Sequence, residues 1–137
     1  MKKAIILSVM VILALSVSHA SFAAATYTGL IVDARELKVD PSKSPHLYDN
    51  TGREIYGTMD IDPDYVEKVG IVQYANTIYD AITQDLVGDN PIVVRAIRRG
   101  AHPYKSDIVI SADDGKWIKR ADQNSLFLEK LKVVFVI

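Results

Sequence analysis

The chain is predicted to be α+β: a single small domain with a mixed β-sheet, a β-hairpin and two or three packed helices, closing in a strand–helix–strand unit. Three stretches carry this expectation. Val133-Val-Phe-Val-Ile137 is an unbroken apolar, β-branched run, the pattern of a strand buried on both faces near the centre of a sheet. His46-Leu-Tyr-Asp49 and Arg53-Glu-Ile-Tyr56 flank Asn50-Thr-Gly52, two strand-like runs about a turn able to adopt left-handed conformations. Ser111 to Asp122 places Trp117, Ile118 and Ala121 on one helical face and Lys116, Lys119 and Arg120 on the other.

The 137 residues do not all belong to that domain. Lys2 and Lys3 precede an apolar run from Ala4 to Val17, broken only by Ser8 and Ser16, and a region rich in small residues follows to Ala25. That order of basic, apolar and small residues is the pattern of a secretory signal peptide. The apolar run is shorter than the ~20 residues a spanning helix needs. Residues 1–23 are therefore predicted to be a leader cleaved after Ala23, with Ala20 and Ala25 as the other sites fitting the small-x-small rule, and residues 24–137 to be the domain. Without Lys2 and Lys3 the net charge falls from −1 to −3, which argues against a nucleic-acid binder. The chain has no cysteine, which excludes disulfides, thiolate metal sites, a cysteine nucleophile and a lipid-bearing cysteine. Export without disulfides suits a bacterial periplasm or outer surface. No stable membrane insertion is expected after cleavage.

From the amino end, Thr26 to Arg35 reads as a strand apolar on both faces at Leu30-Ile-Val32, with Gly29 marking a bulge or a close backbone approach. Pro41 and Pro45 bracket a loop. After the hairpin, Asp62-Pro-Asp64 is a helix start, with Asp62 as cap and Pro63 in the first turn. The next segment is ambiguous: Gly70 to Tyr74 reads as a short strand or as the start of helical spacing, and a helix from Asn76 to Leu86 is favoured. Pro91 blocks its continuation, and Ile92 to Arg98 reads as a strand. Asp107 to Ser111 opens the closing unit; a helix from Ala112 to Asp122, a short helix from Ser125 to Lys130 and a strand from Lys132 complete it, with a length that permits a right-handed parallel crossover.

Few residues point to chemistry. Asp60, Asp62 and Asp64 alternate as in a calcium loop, but Tyr65 and Ile71 stand where that motif needs Gly and Glu, so no metal site is expected. No cofactor motif and no GxSxG elbow is present. His46 and His102, the histidines of the mature chain, read as solvated loop residues. Asp33 ends a strand and is expected to pair with Arg53 or Arg95. Arg95, Arg98, Arg99, His102 and Lys105 form the one local basic cluster, a candidate surface for an envelope protein or an anionic envelope component.

Taken together, Tyr27 to Arg35, Asp49 to Gly57, Gly88-x-Asn-Pro-x-Val-Val-x-Ala96 and the closing Asp107-Ile-Val-Ile-Ser…Val-Val-Phe-Val pattern resemble a set of uncharacterised secreted proteins of Gram-negative bacteria. The closing unit is more distantly similar to small outer-membrane lipoproteins that include flagellar-assembly factors, whose lipid-accepting cysteine this chain lacks. The resemblance implies a periplasmic location and carries over no functional residue. The function expected from the chain is thus a non-catalytic binding or assembly module of the cell envelope. The alternative is a small periplasmic hydrolase or ligand-binding enzyme using Asp33, Asp49 or His102.

Overall fold

The computed structural model describes residues 25–58 and 60–137, so the predicted leader lies outside the described residues. In chain order the elements are β1 (Gly29–Asp33), β2 (Leu47–Asp49), β3 (Glu54–Tyr56), α1 (Pro63–Lys68), β4 (Gln73–Ala75), α2 (Ile78–Ile82), a 3-10 turn at Asp85–Val87, β5 (Pro91–Arg95), β6 (Arg98–Arg99), β7 (Ile108–Ile110), α3 (Ala112–Ser125) and β8 (Val133–Val136). The α+β class is as the sequence predicts, but the strands divide between two sheets. One runs β4-β8-β1-β5 and is wholly parallel. The other runs β3-β2-β7-β6 and is mixed, with β2 parallel to β7 and the two outer pairings antiparallel.

The two apolar faces of β1 and β8 explain the layering. Leu30, Val32, Val133 and Phe135 point into the main core, where they meet Leu47, Ile55, Ile108 and Ile110 of the mixed sheet and Ile118 of α3. Ile31, Val134 and Val136 point the other way, onto Ala81 of α2 and Val87 of the 3-10 turn. Period-two alternation thus supplies both layers from one strand. Gly29 permits the close approach anticipated for it: a Cβ there would lie 2.7 Å from the Val87 Cα. Gly115 lets α3 pack closely on the hairpin: a Cβ there would come 3.0 Å from Ile55 Cδ1 and 3.3 Å from Asp49 Cβ, so those side chains would have to shift by a few tenths of an ångström.

The predicted caps form. The Asp62 carboxylate accepts from the Asp64 N–H at 3.0 Å, and the Ser111 hydroxyl accepts from the Asp114 N–H at 3.0 Å. Several boundaries differ from expectation. The helix expected from Asn76 to Leu86 is confined to Ile78–Ile82, capped by Thr77, and the residues before it form β4 instead. The strand expected from Ile92 to Arg98 divides at Ala96-Ile97. The Ala96 N–H still donates to Asp33 in one sheet, while the Ile97 N–H donates to Val109 in the other, so the chain turns a corner between sheets. No short helix spans Ser125 to Lys130, because Leu126 takes the left-handed conformation (φ 55°) and ends α3. The closing unit does not cross over within one sheet: β7 belongs to the mixed sheet, and β8, apolar on both faces, inserts between β1 and β4 of the parallel one.

Candidate functional site

Among the described residues, no helix covers the outer face of the mixed sheet. Leu47, Ile108 and Ile110 point into the core, so their neighbours His46, Tyr48, Asp107 and Val109 point away from it. Arg98 is paired with Val109 across β6 and β7 and joins the same face. Two loops wall this surface. The segment after Lys38 is held by Tyr74, whose hydroxyl donates to the Ser42 carbonyl at 2.7 Å and accepts from the Ser42 N–H at 2.8 Å. The segment from Gly100 to Ser106 is pinned at its base by the Gly100 N–H donating to Asp107 at 2.7 Å and the Asp107 N–H donating to Tyr104 at 3.1 Å. Between them lies an open groove of about 670 Å³ lined by Ser42, His46, Tyr48, Arg98, Tyr104 and Asp107, among others. Its size and its mixture of aromatic walls with a few converging polar groups fit a ligand-binding concavity.

Within the groove, the His46 and Tyr48 rings are nearly parallel, 5.8 Å between centroids, and His46 Nδ1 lies 3.1 Å from a Glu54 carboxylate oxygen. Asp107 is 8 % exposed, and its Oδ1 accepts from the backbone N–H of His46 at 2.8 Å. Burial pushes the Tyr48 hydroxyl pKa up, and the charges of Glu54 and Asp107 push it the same way. Asp107 thus lies on the groove floor with Glu54 beside it, while Arg98 stands exposed on its β6 side. Among the described residues no protein hydroxyl hydrogen-bonds to His46, whose ring contact is the Glu54 carboxylate.

A family model for the second domain of Treponema pallidum Tp0624 matches residues 29–137, from the start of β1 to beyond β8. The chain belongs to this family. Among curated proteins none matches it. The groove is thus built wholly from residues of the Tp0624 second-domain match.

In this member of the Tp0624 second-domain family the basic cluster read along the chain is dispersed. Arg95 sits in the parallel sheet and pairs with Glu36 at 3.1 Å. Arg98 and Arg99 alternate across β6, so Arg98 meets the groove while the Arg99 guanidinium donates to the Lys38 carbonyl. His102 is exposed and Lys105 half-buried in the loop between β6 and β7. The corner at Ala96-Ile97 separates Arg95 from the other four, and strand alternation separates Arg98 from Arg99.

Asp33, Asp49 and His102 are likewise not joined by any hydrogen bond. Asp33 pairs with Arg35, at 2.9 Å, rather than with Arg53 or Arg95; the chain turns immediately after β1 and brings the nearer guanidinium back. That bond holds the Asp33 carboxyl below its usual pKa, with a smaller contribution from the charge of Arg95. A recess of about 50 Å³ beside it, at the carboxyl ends of β1 and β5, is where open parallel sheets often bind ligands, but its charges are already paired and it has room for little more than water. Asp49 is consumed by the hairpin: its Oδ1 accepts from the Thr51 hydroxyl at 2.6 Å, the Thr51 N–H at 2.9 Å and the Arg53 N–H at 3.1 Å. His46, read from the chain as a loop residue, lies in the loop immediately before β2 and is half-buried. The hairpin register that pairs Tyr48 with Glu54 was the available signal for this side of the groove. Among the described residues no three His, Asp or Glu side chains come together as a metal-binding set, and no helix is long and apolar enough to cross a membrane.

Proposed function

We propose that this protein is an exported, non-catalytic binding or assembly module of the bacterial cell envelope, and that the groove over β2, β7 and β6 is its binding surface. The observation that carries the reading is the groove itself: aromatic and charged side chains converge on a rigid sheet face with no hydroxyl hydrogen-bonded to its one histidine. The basic-apolar-small order of residues 1–23 and the absence of cysteine support export and a soluble mature chain in the periplasm. The resemblance to secreted proteins of Gram-negative bacteria supports the same location.

The test combines fractionation with site-specific crosslinking. The mature chain, beginning at Ala24, is expected in the periplasmic fraction. A photo-crosslinker at Ala101, on the groove rim, should trap an envelope component in intact cells, whereas one at Lys116, exposed on α3, should not. Full-length chain in the cytosol, or equal labelling from both positions, overturns the reading.

A further inference from the structure

The groove also indicates what it binds. We infer that it seats a cationic side chain, a lysine or arginine presented by a partner polypeptide, against Asp107 and between the rings of Tyr48 and Tyr104. This rests on the reading of the groove as the binding surface and adds the class of ligand.

Asp107 is more than nine-tenths buried, yet only its Oδ1 is engaged, by the His46 N–H. Among the described residues no buried side-chain oxygen lacks a partner, so the second oxygen of Asp107 is open to the groove that this residue lines. A carboxylate oxygen open to a concavity favours a donor carrying positive charge, because a charge-assisted hydrogen bond is stronger than a neutral one. The walls suit the same ligand. Tyr48 is half-buried on the floor, and Tyr104 stands 66 % exposed on the rim, held by a loop whose backbone hydrogen bonds fix it over the sheet. Aromatic faces attract ammonium and guanidinium groups. A second carboxylate stands near Asp107 on this side of the groove: Glu54 lies 3.1 Å from His46 Nδ1.

Arg98 decides between a free amine and a peptide. It lies on the β6 side of the groove and makes no ion pair among the described residues. A lone amine leaves it unused. A polypeptide segment carrying a basic residue with an acidic residue nearby satisfies both sides of the groove at once, and the volume of about 670 Å³ accommodates more than one side chain.

The experiment is an NMR titration of the isotopically labelled protein with the blocked peptide acetyl-Glu-Gly-Lys-Gly-amide, its Nε-acetyl-lysine twin, an acetyl-Glu-Gly-Glu-Gly-amide control and ethanolamine. The lysine peptide is expected to shift the amides of His46, Tyr48, Asp107 and Val109 saturably, with the acetylated twin at least about tenfold weaker. Tyr104→Ala, at a rim position that carries no core packing, should weaken the lysine peptide about threefold or more without changing the melting temperature. Asp107→Asn should weaken it further; because Asp107 also holds the His46 N–H, the Tyr104 variant keeps the test valid if the Asn variant fails to fold. Equal binding of the acetylated twin overturns the inference, as does preference for the doubly acidic peptide, and in both cases the groove survives as a binding surface. Ethanolamine matching the peptide overturns the polypeptide assignment. Silence from every probe at these residues overturns the inference, and the crosslinking experiment then decides separately whether the groove binds anything.

Discussion

The Tyr56 hydroxyl donates to the Ile71 carbonyl across 2.5 Å, a buried bond between the end of β3 and the segment entering β4. β3 is the outer strand of the mixed sheet and β4 the outer strand of the parallel one, so this contact stitches the side of the structure where no chain corner joins the two sheets. On the opposite side the join is covalent, at Ala96-Ile97. Replacing Tyr56 by Phe removes the donor and leaves a buried carbonyl unpaired, a loss of about 1–2 kcal/mol at neutral pH. Burial raises the pKa of Tyr56 well above the ordinary tyrosine range. The phenol therefore contributes its stability fully below the unfolded value of about 10 and loses it as pH climbs past that value. Urea melts across the alkaline range should show a steep loss in the native protein and a shallower one in Tyr56→Phe; parallel slopes would place the alkaline sensitivity elsewhere.

Asp49 governs stability at the other end of the pH scale. The Thr51 hydroxyl is the main cause of its lowered pKa; burial opposes, and the Arg53 and Thr51 N–H groups add to the lowering. A depressed carboxylate stabilises the fold above its unfolded pKa of about 3.9, and that contribution disappears as pH falls through the lower folded value. Asp49→Asn keeps the shape, removes the charge and should lower the midpoint of urea unfolding at neutral pH while making its further fall toward acid conditions shallower. An acid limb as steep in the variant as in the native protein would assign it to another group, Asp33 being the next whose pKa is lowered.

These contacts also mark what could be read along the chain. β1 and β8 were legible because a run apolar on both faces has only one stable destination, and the hairpin because Asn50-Thr-Gly52 admits the positive φ of 88° that Gly52 adopts. The caps Asp62 and Ser111 were legible because capping is a local interaction. The division into two sheets was not: the corner at Ala96-Ile97 contains neither Gly nor Pro, and its two backbone bonds reach partners far away in the chain. The groove was hidden for a related reason. Asp107 meets the His46 N–H across 61 residues, a separation at which no periodicity speaks. The basic group Arg95, Arg98 and Arg99, clustered in the sequence, lost its unity to strand alternation and to that same corner.

The claim that β8 lies inside the fold is tested by truncation. Phe135 is fully buried, packs in the main core and meets Tyr74 edge to face at 6.2 Å between centroids. Phe135→Ala should cost about 3–5 kcal/mol, the range for deleting a buried aromatic ring. Val93 lies on the outer face of β5 in the same sheet and is 41 % exposed, so Val93→Ala should cost less than about 1 kcal/mol. Chemical denaturation of the two variants measures the contrast. Similar losses from both would mean that β8 is no more interior than the sheet edge.

One position should tolerate a change for the better. Lys38 adopts φ 53°, a left-handed conformation that costs a residue with a Cβ about 1–2 kcal/mol. The strain is imposed by the turn after β1, where the Lys38 carbonyl faces the Arg99 guanidinium and accepts its hydrogen bond. Lys38 itself is exposed, and its side chain makes no hydrogen bond or ion pair among the described residues, so little is lost with it. Lys38→Gly removes the steric cost but gains backbone freedom in the unfolded chain, which returns about 0.5–1 kcal/mol of the benefit. The net expectation is a stabilisation of about 0.5 kcal/mol, read as a higher midpoint with an unchanged slope in urea. Lys38→Ala separates conformation from charge: it also removes the ammonium group but keeps the Cβ, and should gain nothing. A gain as large in Lys38→Ala as in Lys38→Gly would trace the effect to charge rather than to the left-handed turn.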